Sequence, residues 1–457
     1  MVDSRVAVLG FGRTGRALLD FLLERGGAAP LLFTDDPVTA DAAMTGYRDR
    51  GVRFLAGPNG FSALAEAETL ILSPGVDGRA ARFAALRERG VEVISEIEFA
   101  FRHNPAVVVG VTGTNGKSTT VSLVHHLLLR GGRSSRLAGN IGTPFISLVD
   151  ELSERDVVVL ELSSFQLEEI RDFRPHIGIL LNLTPDHLDR YPDVEAYAAA
   201  KKLLFTNQQP EDFRVANGDD PGVRRLLAQA GKGKPVWFSA SGRPEGGVYL
   251  EDGEIRLECV PGGDRVSLKG FPLPGPHNLE NYMAAAAAVR LLGVEGREIS
   301  AGAVDFRGLP HRMETVGVVD GVRFINDSKA TNVDAAEKAV LSVESPAVLI
   351  LGGKDKGGDF KRLVPLIRDR IQRVLLVGQA ADTIRVQLSV IADRIDAVDD
   401  MAEAVDRGYA LMRGGGMVLL APGCASFDMF RSFEHRGEVF AEAVRHLAAR
   451  VNRRGGG

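Results

Sequence analysis

The stretch VVVGVTGTNGKSTTVSLVHHLLL, Val107 to Leu129, decides how the chain is read. Gly116-Lys117-Ser118 has the form of a phosphate-binding loop entering a helix. The general pattern G-x-x-x-x-G-K-[ST] requires glycine five positions before Gly116, and that position holds Val111. Either the GKS is a coincidence or the loop is of a different build. Its setting favours the second reading. AVVVGV is a valine-rich run, unbroken by polar residues, of the kind buried in a parallel sheet. Gly113 and Gly116 flank Thr114-Asn115, and a helical pattern starts at Lys117. A lysine on an exposed first helical turn is common, but not between a buried strand and a glycine-flanked loop. In such a cradle Lys117 would reach the β- and γ-phosphates and the Ser118 hydroxyl would ligate Mg²⁺.

Working outward, the rest of the chain alternates strands and helices. With 457 residues it is too long for one ordinary domain. Residues up to about 98 carry RVAVLG, LLFTDD, TLILSPG and VEVIS, an α/β alternation that suggests a small doubly wound unit. The middle block adds DVVVLELSS and HIGILLNLT as strands buried on both faces. It also holds VYLEDGEIRLEC, in which Asp252-Gly253 is a hairpin signal, and the alanine-rich helix NLENYMAAAAAVRLLG, stopped by Gly293. From FRGLPHR onward the alternation resumes with VLILGG, RVLLVG and MVLLAPG.

Bulk numbers narrow the function classes. A hydrophobic share of 45% and a charged share of 25% are those of a soluble globular protein. The net charge of −5 argues against a general role on nucleic acid or on acidic membranes, so an anionic ligand must be held by local cations and backbone amides. The two cysteines, Cys259 and Cys424, form no CxxC pair, which suits a reducing compartment. Cys424 has nothing nearby to activate it and reads as packing. No basic-then-apolar leader precedes RVAVLG, and no apolar run approaches the ~20 residues of a membrane span. A cytoplasmic location without membrane insertion is expected.

A second nucleotide-like loop is LGFGRTGRA, where Gly10, Gly12 and Gly15 make G-x-G-x-x-G, with Asp35 and Asp36 following at the end of the next strand pattern. Any diphosphate would suit it, NAD being one candidate, and a structural turn is the bland alternative. Polar islands stand at other strand ends. Glu161 closes VVVLE near the phosphate loop, a natural further oxygen ligand for Mg²⁺. Asp186, His187 and Asp189 follow the next strand. Asn278 and Asn281 share a helix face, and Arg312, Asp327, Lys329, Thr331, Lys354 and Lys356 recur near strand ends in the last block.

Together these residues resemble the Mur ligases, the ATP-dependent amide-forming enzymes of peptidoglycan precursor synthesis. GTNGKST, ELSSFQLE, NLTPDHLDRY, PGPHNLENYMAA, GLPHRMET and NDSKATN stand in that family's order. Within it, NDSKATN, LGGKDKGGDF and LLAPGCASFDMFRSFEHRG look most like the members that add D-glutamate to UDP-N-acetylmuramoyl-L-alanine. The Asp-Asn-Pro-Arg motif of the diaminopimelate- or lysine-adding members is absent. The resemblance implies an α/β protein of three domains. Residues 1–98 would be a Rossmann-like domain for the UDP substrate, 99–308 a central P-loop ATP-binding domain with a mostly parallel sheet, and 309–457 a Rossmann-like domain for the amino acid.

The resemblance also implies roles. Gly113, Thr114, Asn115, Gly116, Lys117, Ser118 and Thr119 would bind ATP, joined by Asn278, Asn281, Arg312 and Asp327. Ser118 and Glu161 would hold one Mg²⁺, and His187 with Lys201 a second. Lys201 matches the lysine that the family carbamylates; Lys202 is adjacent, and Leu204-Phe205 at the family's offset selects Lys201. Lys117, His187, Lys201 and Lys329 would be catalytic. Gly12, Arg13, Thr14, Asp35, Ser73, Gly75 and Asn140 would cradle the UDP moiety, although Pro37 after Asp35-Asp36 is unexpected there. Thr331, Lys356, Ser426 and Phe433 would surround D-glutamate. A monomer is expected. An NAD-dependent oxidoreductase would leave the phosphate loop unexplained, while a non-catalytic UDP-sugar or ATP sensor would share the fold.

Overall fold

The computed structural model describes residues 5–26, 29–34, 42–187, 190–228, 231–343, 345–355 and 357–455. Asp35 and Lys356, expected in the UDP and D-glutamate pockets, lie outside the described residues, as does Asp189. The chain clusters into two compact units, Met1–Gly270 with Glu280–Val304, and Phe271–Leu279 with Asp305–Gly457.

The first unit contains two sheets. Strands β1 (Val6–Leu9), β2 (Leu31–Thr34), β3 (Arg53–Ala56), β4 (Thr69–Leu72) and β5 (Glu92–Ser95) form a parallel sheet in the order β3-β2-β1-β4-β5. The chain order reverses between β1 and β4, and at such a switch point the strand ends leave a crevice for a ligand. GFGRTG follows β1 and Ser73 follows β4, so both flank that crevice.

The second sheet comprises β6 (Val107–Thr112), β7 (Ser135–Gly139), β8 (Val157–Glu161), β9 (Ile177–Leu180), β10 (Phe213–Asn217) and β11 (Lys234–Ser239), then β12 (Val248–Glu251), β13 (Glu254–Leu257) and β14 (Arg265–Ser267). Their order is β14-β13-β12-β11-β10-β9-β6-β8-β7, and only the β12-β13-β14 end is antiparallel. The expected hairpin is present: Asp252 and Gly253 take φ of 51° and 75°, the left-handed pair of a two-residue turn. Val111 is fully buried in β6, in register with Glu161 of β8 and Ile179 of β9. It belongs to the strand, not to the loop. The helix expected from NLENYMAA spans Pro276–Leu291, with Tyr282 to Val289 wholly buried, and Gly293 follows at φ 93°.

One continuous apolar core, including Val8, Ile71, Ile97, Phe145, Ile146, Val158 and Leu180, runs through both sheets. The short helix Glu96–Phe101 after β5 joins them. Glu96 Oε1 accepts the Ile146 amide at 2.8 Å, and Glu98 Oε2 accepts those of Arg171 and Phe173 at 2.9 Å each. Buried backbone N–H groups need acceptors, and here two carboxylates of one helical turn supply them.

The second unit holds β15 (Glu314–Val319), β16 (Val322–Asn326), β17 (Ala347–Gly352), β18 (Ile371–Val377), β19 (Ile395–Ala397) and β20 (Gly416–Leu420), in the order β15-β16-β20-β17-β18-β19. β15 is antiparallel to β16 and the remaining pairs are parallel. Side chains alternate across the sheet, so each face has its own core. Leu349, Leu351 and Leu419 pack on one side, and Val348, Ile350 and Val418 pack on the other against Phe440 and Val444 of helix Phe433–Gly455.

Candidate active site

In the first unit the site is built where β6 ends. Helix Lys117–Arg130 begins at Gly116 with no side-chain cap, leaving first-turn amides oriented for an anion. Gly116 has φ 85°, and a Cβ there would stand 2.3 Å from Asn281 Oδ1. The position therefore excludes other residues twice, by backbone conformation and by space. Asn281 also accepts the Thr120 hydroxyl at 3.2 Å, which ties the alanine-rich helix to the phosphate loop.

The loop is clamped to the segment after β9. Thr114 N donates to Asn182 O at 3.1 Å and Asn115 N to Asn182 Oδ1 at 2.8 Å, while Thr114 Oγ1 bonds Thr184 O at 3.1 Å. Asn182 and Thr184 were not singled out from sequence. Their signal was NLTPDHLDRY itself, a polar run directly after a buried strand. Lys117 Nζ lies folded along the loop, donating to Gly113 O at 2.9 Å and Thr114 O at 2.8 Å.

Ser118 Oγ donates to Glu161 Oε2, and Asn140 Nδ2 donates to Glu161 Oε1 at 2.7 Å. Glu161 is buried at 3% exposure. A hydroxyl and a buried carboxylate beside an anion cradle are hard oxygen donors, and they fit Mg²⁺, which takes one or two protein ligands and completes its shell with phosphates and water. Among the described residues no three His, Cys, Asp or Glu side chains cluster around a common point. A metal there would share its coordination with a nucleotide. Asn140, expected against UDP, bonds Glu161 through both its side chain and its backbone amide.

Lys201 comes from helix Val194–Lys202 and is 1% exposed. Its Nζ donates to Gly113 O at 2.9 Å and lies 4.5 Å from the Tyr197 ring centre. Burial, and then the nearby Lys117 cation, push its pKa well below the usual lysine value, against the pull of Asp186 and Glu161. Lys202 beside it is half-buried. His187 has φ 54°, a left-handed conformation that is unusual for a non-glycine residue. Its ring meets Phe165 edge-on at 4.8 Å and lies 3.8 Å from Asp186 Oδ2. Thr119 is buried in the first helical turn.

At the β1–β4 crevice, Gly10 takes φ 100°, and a Cβ on Gly15 would be 2.0 Å from Gly10 O. Among the described residues nothing lies within 4 Å of the position a Gly12 Cβ would take. The fingerprint glycines thus divide into a tight turn, close helix packing, and open space above the helix start where Arg13 and Thr14 stand. Ser73 Oγ is buried against Gly10 with no hydrogen-bond partner among the described residues, and Gly75 is exposed in the turn that follows.

In the second unit, candidate residues gather at the carboxyl ends of β16, β17 and β20. Arg312 is flanked by His311 at φ 63° and Met313 at φ 46°, two strained positions of the kind found where a side chain must be presented. Asp327 Oδ1 accepts the Met313 amide at 3.2 Å; desolvation pushes its carboxyl up to about 6, with Arg312 pulling it back. Lys329 Nζ stands 3.8 Å from the Phe433 ring centre, Thr331 N donates to Lys329 O at 2.8 Å, and Ser426 is buried. Asn278 Nδ2 donates to Pro274 O at 2.7 Å.

Three family models match in succession: the Mur ligase MurD-like N-terminal domain over residues 4–95, the Mur ligase middle domain over 111–289, and the Mur ligase glutamate ligase domain over 311–424. Curated proteins named UDP-N-acetylmuramoylalanine--D-glutamate ligase are similar along their whole length. That of Salinibacter ruber is 40% identical, covering 97% of this chain and 98% of the relative. That of Pelotomaculum thermopropionicum is 39% identical, with 97% and 98% covered. Among solved structures, a pseudomurein peptide ligase type C from Methanothermus fervidus superposes with a TM-score of 0.61 at 17% identity, covering 97% of this chain and 100% of the other. The MurF ligase of Thermotoga maritima in complex with ADP gives 0.59 at 17% identity, with 98% and 96% covered. Such distant likenesses concern the fold, and they agree with the mixed α/β architecture and its mostly parallel sheets. With near-full-length relatives at about 40% identity and three Mur ligase models matching in succession, the chain belongs to the Mur ligase family.

Proposed function

We propose that this protein joins D-glutamate to UDP-N-acetylmuramoyl-L-alanine at the expense of ATP, a step of peptidoglycan precursor synthesis. The observation that carries the reading is the Ser118–Glu161–Asn140 constellation beside Lys117 and the uncapped helix start, in a chain about 40% identical to proteins named for this ligation. The γ-phosphoryl group of ATP passes to the carboxylate of the UDP substrate, giving an acyl phosphate and ADP. The amine of D-glutamate then attacks the acyl carbon, and the tetrahedral intermediate expels phosphate as the amide forms and the amine proton leaves. The main barrier of the first step is the approach of one anion to another, so positioned cations and amides lower it. Lys117, the loop Gly113–Thr119 and the amides at its helix start hold the phosphates, with Asn278, Asn281, Arg312 and Asp327 as further ATP contacts. Mg²⁺, when bound by Ser118 and Glu161, supplies neutralisation of phosphate charge.

Lys201 is proposed to be carbamylated. A buried lysine with a depressed pKa carries a free amine lone pair, which adds to the carbon of CO₂ and loses a proton, leaving a carbamate anion. With His187 it would then offer a second cation site. Lys329, Thr331, Lys356, Ser426 and Phe433 are assigned to D-glutamate, and Gly12, Arg13, Thr14, Asp35, Ser73, Gly75 and Asn140 to the UDP moiety. The division of labour would follow residues 1–98, 99–308 and 309–457.

The test is ADP formation with ATP, Mg²⁺, UDP-N-acetylmuramoyl-L-alanine and either enantiomer of glutamate. ADP release that requires the D-enantiomer supports the reading. Release with another amino acid and indifference to D-glutamate overturns the specificity, and no release with any amino acid favours a sensor.

A further inference from the structure

Arg436 is 1% exposed, and every one of its hydrogen-bond acceptors is neutral. Nε donates to Ser328 Oγ at 2.9 Å and Nη2 to Ser328 O at 2.8 Å. Both terminal nitrogens reach Cys424 O at 3.1 Å, and Nη1 reaches Ala425 O at 3.3 Å. Among the described residues no carboxylate lies within ion-pair distance; Asp428 acts on it from farther away. Burial lowers its pKa to about 10, so it stays a cation at neutral pH. Burying an ion is costly, and carbonyl dipoles offset only part of that cost without cancelling the charge. A cation held this way keeps its field for the next anion that arrives.

Its place in the fold says where that anion would be. Ser328 follows β16, Gly353 follows β17, and Cys424 and Ala425 follow β20, three neighbouring parallel strands. A Cβ on Gly353 would stand 3.0 Å from Arg436 Nη1 and 2.3 Å from Ala425 O, so the loop after β17 has glycine where it passes the guanidinium. Lys329, Thr331, Lys354 and Ser426 lie on these same loops. Ser328 Oγ donates onward to Phe433 O at 2.8 Å, which extends the clasp to the ring beside Lys329.

We propose that Arg436 is a positioning and specificity-determining residue for the acidic amino acid: it clasps the loops after β16 and β20, against which the loop after β17 passes, and supplies an unneutralised positive charge that favours a dicarboxylate over a singly charged analogue. This rests on the assignment of these loops to D-glutamate.

The experiment measures KM for D-glutamate, ATP and the UDP substrate, together with inhibition by D-glutamine, which has similar shape and one charge fewer. The variants are Arg436→Lys, Arg436→Gln and Ser328→Ala, each checked for folding by its melting temperature. Arg436→Gln should raise KM for D-glutamate by about tenfold or more and flatten the preference for D-glutamate over D-glutamine. Arg436→Lys, which restores charge without the fork, should recover part of that loss. Ser328→Ala should raise KM for D-glutamate by about threefold with KM for the UDP substrate unchanged. A folded Arg436→Gln protein with unchanged KM for D-glutamate overturns the proposal. So does equal weakening toward both ligands, which marks a purely structural clasp. If neither Arg436 variant folds, an unchanged KM in Ser328→Ala overturns it. Failure of the unmodified protein to use D-glutamate would instead sink the assignment beneath it.

Discussion

Lys117 and Lys201 share one acceptor, Gly113 O, and the field of each bears on the other. The half-buried end of that pair is the one suited to phosphate, and the fully buried end the one suited to chemical modification. Lys117→Ala is expected to lower kcat by about 10²–10³-fold, the scale of one lost electrostatic contact to a transition state, with the melting temperature little changed. Single-turnover ADP formation checks this. Lys201→Ala is expected to be inactive in buffer alone and to regain activity with a small carboxylic acid such as acetate, which places an anion in the vacated space. Full activity without added acid would argue against a carbamate. The role of Lys117 was legible in the loop itself, and that of Lys201 only by resemblance. Burial to 1% and the proximity of Lys117 are properties of the packed loop, and no pattern around AAAKKLLF states them.

At the scale of elements, the misfit at Val111 resolves into geometry. Strand β6 continues through Val111 to Thr112, and the turn needs glycine only at Gly113 and Gly116. Gly116→Ala would place a side chain at φ 85° and against Asn281 Oδ1, a strain of about 1–2 kcal/mol before any clash is relieved. The expected outcome is a rise in KM for ATP together with a loss of kcat, read from steady-state kinetics. Gly15→Ala tests the other loop. Its Cβ would meet Gly10 O at 2.0 Å and push helix Arg13–Arg25 from β1. KM for the UDP substrate should rise while KM for ATP stays within about twofold. The strands, the Asp252-Gly253 turn and both glycine loops were readable because each depends on neighbours in sequence. The Asn182–Thr114 clamp and the Arg436 clasp were not, since they join residues about 70 and about 110 positions apart through side chains with no local pattern.

For the whole molecule, the sequence suggests three α/β blocks, and three sheets are present, yet the first two share one core. Phe145 and Ile146, which carry no motif, supply part of that continuity, and Glu96 and Glu98 bond backbone amides across the junction. Glu96 makes the junction sensitive to pH. Burial pushes its carboxyl up to about 7, above its unfolded value, while the Ile146 and Phe145 amides oppose the rise. The folded state then binds the proton more tightly. Its contribution to stability is fully present below the unfolded pKa and is lost as pH rises through about 7, by up to about 3 kcal/mol. Urea unfolding between pH 4.5 and 7.5 should show this slope, and Glu96→Gln should reduce it by the Glu96 share, leaving that of Asp327.

The central claim is that the chain activates a carboxylate by phosphorylation and then forms an amide. It is tested most directly with UDP-N-acetylmuramoyl-L-alanine whose carboxylate carries heavy oxygen, incubated with ATP, Mg²⁺ and D-glutamate. Mass analysis of the phosphate released should find one heavy oxygen per molecule, transferred from the substrate carboxylate through the acyl phosphate. Phosphate free of label, with amide still formed, would contradict the account.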